Sequence, residues 1–272
     1  MAKQPLLSPS LIVTTYNWPQ ALSLVLESIR GQSLLPLEVI VADDGSGPET
    51  RAVVDAFRET APFPVKHIWQ EDKGFRAAAI RNRAILACQS PYVIQIDGDV
   101  VLHPAFTADH LSSSAKGCFI IGGRISLSPD QSDQLLQGDK IHSLRGFGLG
   151  QKWKMMHLPL FASLMYGYKS KDFMYGISAN ISCWRDDLLA VNGYDEDFEG
   201  WGREDSDLIC RLMNHGLKKR YLRMKAICYH LWHNSRKQAD SFDRNHILMK
   251  NNITCGRIVC SNGLEKKITK AS

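Results

Sequence analysis

Between residues 11 and 121, short uninterrupted apolar runs alternate with longer stretches in which apolar residues return every three or four positions. Leu11 to Tyr16, Leu37 to Ala42, Val65 to Trp69, Tyr92 to Ile96 and Phe119 to Ile121 are strand-length and rich in β-branched or aromatic residues. They predict buried strands. The intervening segments predict helices. After Pro19, Leu22, Leu26 and Ile29 share one face up to a stop at Gly31. Pro48 opens a second helix through Phe57, and Gly74 to Cys88 reads as a third. Strands that are apolar on both faces, separated by helices, predict an α/β fold with a mostly parallel central sheet covered on both sides.

The polar residues fall at strand ends. Three of the first four strands finish in Tyr16-Asn17, Asp43-Asp44 and Asp97-Gly98-Asp99. In an open parallel sheet the carboxyl ends of the strands border the ligand crevice, so these groups are expected to converge there. Asp44-Gly45 taken alone is equally well a turn. After about residue 125 the pattern changes. Gly146 to Tyr175 mixes Gly, aromatic, Met and Lys residues without a clean period and reads as a lid or acceptor loop. From Ser235 onward, Phe242, Ile247 and Leu248 have helical spacing, followed by Lys266, Lys267 and Lys270. The expected organisation is one domain in two halves, residues 1–125 and 126–235, with a helical tail over 236–272.

Composition narrows the class. Of 272 residues 44% are hydrophobic, which excludes disorder as the main state, and the net charge of +5 is weakly suited to anionic partners. Neither Gly-x-Gly-x-x-Gly nor a phosphate-loop motif occurs, which disfavours a dinucleotide dehydrogenase or phosphate-loop NTPase. No nucleic-acid partner is indicated. The seven cysteines show no C-x-x-C pair, so reduced thiols and a cytoplasmic setting are expected. No run approaches the length needed to span a bilayer, which leaves peripheral membrane contact open.

Asp97 and Asp99, with Gly98 between them, are spaced to present oxygens to one hard cation, Mn²⁺ or Mg²⁺, completed by substrate phosphates. Arg76 and Arg81 stand near the start of the third helix, a combination suited to an anion. In Gly200-Trp-Gly-Arg-Glu-Asp-Ser-Asp207, Asp205 continues the apolar stripe of Ile209 and Leu212 and so faces a cleft or partner, making it the candidate base. Asp207 is expected to form a solvated surface pair with Arg211 at i+4. His230, ahead of His233, is a candidate further metal ligand at the end of an apolar strand.

These motifs, in this order over roughly residues 10 to 235, resemble the inverting family 2 glycosyltransferases with the GT-A fold. The run from Gly193 to Asp205 is similar to the C-terminal segment of chondroitin polymerases and β-1,4-galactosyltransferases, with Arg203 where Gly is common. The resemblance implies a nucleotide-sugar donor, usually UDP-linked, a glycan or glycolipid acceptor, and a role in cell-surface polysaccharide or lipopolysaccharide synthesis. It places uridine between Tyr16 and Asp44 beside Thr14, and Arg76 and Arg81 near the donor or its diphosphate. Asp99 becomes the main metal carboxylate, Asp97 a ribose or metal group, and His230 a later metal ligand. Asp205 becomes the catalytic base, with Glu204 and Trp201 on the acceptor. The rival readings are a sugar-nucleotide nucleotidyltransferase, which needs a Gly-rich loop absent from Thr14 to Pro19, and a non-catalytic carbohydrate-binding protein.

Overall fold

A computed structural model describes residues 8–162, 167–168, 179–234 and 239–266 of the chain. The first half alternates as the apolar runs predict: β1 (Ser10–Thr15), α1 (Pro19–Arg30), β2 (Glu38–Asp43), α2 (Pro48–Thr60), β3 (Val65–Trp69), α3 (Ala77–Ala87) and β4 (Tyr92–Asp97). It continues through β5 (Val100–Leu102), α4 (Phe106–Ser113), β6 (Cys118–Gly122), β7 (Arg124–Ser126), α5 (Pro129–Leu136), α6 (Leu149–Met155), α7 (Pro159–Ala162) and β8 (Gly167–Tyr168). The last part holds β9 (Asn180–Trp184), α8 (Arg185–Ala190), α9 (Glu204–Asn214), β10 (Lys218–Leu222), β11 (Cys228–His230) and α10 (Ala239–Thr254).

The main sheet has the order β3-β2-β1-β4-β9-β6-β10-β8. β3, β2, β1 and β4 are parallel neighbours, as are β6 and β10, whereas β9 and β8 run against their neighbours. Alternation along β1 divides the core. Leu11 and Val13 pack with Leu22, Leu26, Val54 and Phe57 of α1 and α2, while Ile12 packs with Ile80, Ala84, Leu208 and Leu212 of α3 and α9. Helices therefore cover both faces, and the apolar strands find an apolar partner on each side.

The chain steps outward from β1 to β2 to β3 and then returns to place β4 on the other side of β1. That reversal opens a crevice above the adjacent ends of β1 and β4. Gly98 sits at the closest approach: a Cβ there would meet Thr14 O and the Thr15 side chain at 3.0 Å. The glycine between the two aspartates thus serves the packing of β1 against β4, a need that the motif alone does not reveal. A second sheet, β5-β11-β7, lies beyond β4, with β11 antiparallel to β5.

Two expectations are corrected here. Asp207 and Arg211 are not on the surface: both are fully buried, joined at 2.7 Å, with Asn252 donating to the other Asp207 oxygen. Arg211 also donates to Val191 O and Gly193 O, tying α9 to the turn after α8. The third helix starts at Ala77, three residues later than expected, because Gly74 has a left-handed φ of 82° and the Arg76 amide turns instead to Asp44. All seven cysteines are free thiols, and Cys255 alone is exposed. The expected loop over Gly146 to Tyr175 contains α6, α7 and β8; its residues 163–166 and 169–175 lie outside the described residues, as do Lys267 and Lys270.

Candidate active site

One cavity of about 610 Å³ lies at the β1–β4 switch point. Thr14, Tyr16, Asp44, Arg81, Asp97, Asp99, Trp201, Glu204, Asp205 and His230 all line it, so residues more than 200 positions apart in sequence face one space. Arg76 does not line it. Its guanidinium is held by the Glu71 carbonyl, while its amide donates to Asp44 Oδ2 at 2.8 Å. Asp44 also accepts from Gln70, and burial pushes its carboxyl above the ordinary carboxylate range despite these donors. Tyr16 donates its hydroxyl to Asp72 at 2.8 Å, across the loop that follows β3.

Arg81 is the hub of the cavity floor. It is only 5% exposed, and it contacts Asp97 at 3.2 Å, Glu204 at 3.1 Å and Asp205 at 3.2 Å while donating to Thr14 Oγ1 at 3.3 Å. Helix α3 supplies this cation and α9 begins with the two acids, so the guanidinium links the two helices beneath the crevice. Burial opposes the charge on Arg81, but Asp205, Tyr194, Asp97 and Glu204 outweigh it and hold the guanidinium firmly protonated. Burial, with the negative charge of Asp205, pushes Glu204 up to about 7 against the pull of Arg81. Burial likewise raises Asp97. The sequence marks Arg81 as an anion ligand; in the fold its donors already meet three protein carboxylates.

The metal candidates come together on the small sheet. β11 pairs with β5 so that His230 lies opposite Val100, and the Leu231 amide donates to Asp99 O at 2.9 Å. His230 Nε2 stands 3.6 Å from Asp99 Oδ2, and His233 Nε2 stands 3.4 Å from the same oxygen. Donors sharing one ion at about 2.1 Å are separated by roughly 3.0–3.5 Å, close to these two distances, and the three ligand atoms all lie within 4.8 Å of one another. His233 Nδ1 is 3.0 Å from Asn234 O, so Nδ1 carries the hydrogen donated to that carbonyl and Nε2 is the ring nitrogen turned to Asp99. Burial, then Arg124 and His233, lowers His230 to about 4, leaving it neutral at pH 7. The donor set therefore fits a divalent cation, and its imidazoles suit Mn²⁺ better than Mg²⁺. Asp97, expected as a metal or ribose ligand, is directed to Arg81 and stands outside this cluster.

Aromatic side chains complete the lining. Trp201 stacks on Phe242 of α10 at 5.5 Å, the Arg203 guanidinium lies 4.7 Å over the same phenyl ring, and Trp18 meets His233 edge-on at 6.0 Å. Arg203 adopts a left-handed φ of 78°, directly before α9. Phe242, Trp18, Trp232 and Arg124 line the cavity but carry no local signal for a site. Helical spacing marks Phe242 as apolar, and only the packing of α10 on α9 brings it here.

Comparison with known proteins agrees with this geometry. The sequence profile described as glycosyl transferase family 2 matches residues 10–174. The chain belongs to that family. A second profile, described as the N-terminal domain of galactosyltransferase, matches residues 159–234 of the family 2 chain and so covers the α9 acids and the β11 histidine. Validoxylamine A glucosyltransferase of Streptomyces hygroscopicus subsp. limoneus is 29% identical over 225 residues, covering 78% of this chain and 49% of that protein. Chondroitin synthase of Escherichia coli is 25% identical over 239 residues, covering 81% and 34%. The chain thus spans half or less of the length of these curated relatives. Among solved structures, GalNAc-T7 with UDP, GalNAc and Mn²⁺ superposes with a TM-score of 0.65 at 14% identity, covering 92% of this chain and 48% of that one. S. aureus TarS superposes with a TM-score of 0.62 at 17% identity, covering 90% and 39%. These likenesses show the GT-A architecture: a mostly parallel sheet between helices, with additional C-terminal elements. No helix among the described residues is long and apolar enough to cross a membrane.

Proposed function

We propose that this chain transfers a glycosyl group from a nucleoside diphosphate sugar, UDP-linked in the first instance, to an acceptor hydroxyl with inversion at the anomeric carbon. The observation that carries the reading is that Asp205 and the Asp99–His230–His233 cluster face the same cavity. Asp205 sits at the first turn of α9, and Arg81 holds one of its oxygens. A carboxylate so placed orients the acceptor hydroxyl and takes its proton as attack proceeds. Tyr16 and Asp44 border the nucleoside end. Trp201 and Phe242 offer flat apolar faces to a sugar ring on the acceptor side, and Glu204, about half protonated at pH 7, can donate to an acceptor oxygen.

A divalent cation held by Asp99, His230 and His233 would supply Lewis-acid stabilisation of negative charge on the departing diphosphate. Arg81, already engaged with three carboxylates, acts as a positioning residue that keeps Asp205 oriented. The acceptor is proposed to be a growing cell-surface glycan or glycolipid, in line with the polysaccharide synthases among the relatives. The test is nucleotide release from a panel of UDP- and GDP-sugars with Mn²⁺, comparing wild type with Asp205→Asn. Turnover should fall at least a hundredfold while UDP affinity changes less than about threefold. Turnover of Asp205→Asn within threefold of wild type would remove Asp205 from the base role.

A further inference from the structure

We propose that the outward face of α6 and α7 is a docking surface for an anionic lipid bilayer, beside the catalytic cavity and independent of which sugar is transferred. Leu149, Trp153 and Met156 follow the i, i+4, i+7 spacing of one helical face, and that face points away from the protein: Leu149 is 83% exposed and Trp153 60%. Phe161 of α7 adds a ring that is 61% exposed. The opposite side of α6 is the one that is anchored. Gln151 donates to Ser126 O at 3.0 Å, and Met155 packs on the cluster of Ile125, Leu127 and Leu144. The Leu158 amide, between the two helices, bonds to Met224 O at 3.1 Å. An amphipathic helix of a water-soluble domain normally turns its apolar stripe to the core. Here the stripe is fixed outward by polar and apolar contacts on its other side.

Charge identifies the occupant. From residue 140 to residue 162 there is no Asp or Glu, while Lys140, Arg145, Lys152 and Lys154 are exposed. Lys152 and Lys154 flank Trp153 in sequence, the arrangement of an interfacial helix whose aromatic ring enters the headgroup region while lysines meet lipid phosphates. A second cavity of about 400 Å³ adjoins the patch, lined by Trp153, Lys154, Arg223 and Arg124. Arg124 also lines the catalytic cavity, so one strand edge separates the two spaces. A second copy of the chain is a poor occupant, because a two-fold contact would set these cations against themselves. An anionic bilayer satisfies both the apolar stripe and the cations.

The test is vesicle flotation of the full chain with phosphatidylcholine alone and with phosphatidylcholine containing about 30% phosphatidylglycerol, with fluorescence followed in parallel. Wild type should float with the anionic vesicles at least tenfold more than with the neutral ones, and its emission should shift to shorter wavelength. Trp153→Phe should keep most of the flotation and lose most of the shift. Leu149→Ser/Phe161→Ser should lose flotation at least tenfold, and Lys152→Glu/Lys154→Glu should lose the preference for anionic lipid. UDP binding should be unchanged in all variants, which separates lost docking from lost folding. Failure of wild type to float would overturn the proposal, as would equal flotation of the serine variant. A concentration-dependent dimer by light scattering, abolished by the serine substitutions and unaffected by vesicles, would assign the face to a second copy instead.

Discussion

Replacing Arg81 by Met tests the central electrostatic feature of the site. The methionine keeps the aliphatic bulk but leaves Asp97, Glu204 and Asp205 without the cation that lies 3.1–3.2 Å from each. Abandoning a buried charge costs about 3–5 kcal/mol. Asp97 and Asp205 keep 29% and 19% of their side-chain exposure, so water relieves part of this and the lower end, about 3 kcal/mol, is expected. At about 2–4 °C per kcal/mol for a chain of this size, the unfolding midpoint should fall by roughly 6–12 °C at pH 8.

The sign of the pH dependence is fixed by Glu204. Its folded-state pKa, about 7, lies above the ordinary carboxylate value, so the folded protein holds the proton more tightly than the unfolded chain. Stability from this group is full below the ordinary carboxylate pKa and is lost as pH rises through the folded value. Removing Arg81 takes away a contribution that lowers that pKa, so the deficit of the variant should grow with pH. At pH 5, where Glu204 is protonated in both proteins, the fall in midpoint should be roughly half that at pH 8. Differential scanning calorimetry at both pH values reads the effect directly. Adding Glu204→Gln to Arg81→Met should recover part of the loss, giving a coupling energy of about 1 kcal/mol or more. A fall below 2 °C, an equal fall at pH 5 and pH 8, or strict additivity of the two substitutions would refute the account of Arg81 as the shared counter-ion.

Further outcomes follow from other contacts. His233→Ala or His230→Ala should weaken Mn²⁺ binding by about tenfold or more in the presence of UDP, measured by titration calorimetry. Loss of metal affinity in Asp99→Asn with neither histidine variant affected would break the three-residue cluster. Arg211→Met should cost about 3–5 kcal/mol in urea unfolding because Asp207 loses its buried cation, and Asp207→Asn in the same chain should restore part of it. A neutral result for Arg211→Met would show that this pair does not need its charges. Phe242→Ala, which removes the ring that Trp201 and Arg203 both contact, should raise the acceptor KM about tenfold with the donor KM unchanged, measured by nucleotide release.

Much of the first half is legible in the chain itself. The apolar runs locate β1 to β4 within one or two residues, and Pro19 and Pro48 mark the starts of α1 and α2. Local sterics and burial on both faces suffice to produce those signals, and the polar residues at strand ends then have one crevice to enter. The acid pair opening α9 is likewise visible, because Asp205 interrupts an apolar stripe at a helix start. What periodicity cannot state is which surface a neighbouring element will cover. Asp207 and Arg211 satisfy the i+4 rule for a surface pair, yet α10 and the turn after α8 close over them and turn a solvated pair into a buried tie.

The same limit hides the rest of the site. Asp99 and His230 are far apart in sequence and meet only because β11 pairs with β5, a choice made by sheet order rather than by either segment's composition. Arg81 has the sequence signature of an anion-binding helix start, but which anions it meets depends on where α9 docks. Gly146 to Tyr175 has no clean period, so neither the helix α6 nor the outward orientation of its apolar residues is legible in the chain; both depend on contacts with Ser126 and the cluster behind it. Sequence fixes the character of each face through local periodicity; long-range packing decides what that face meets, because burial and charge neutralisation belong to pairs of elements and not to either one alone.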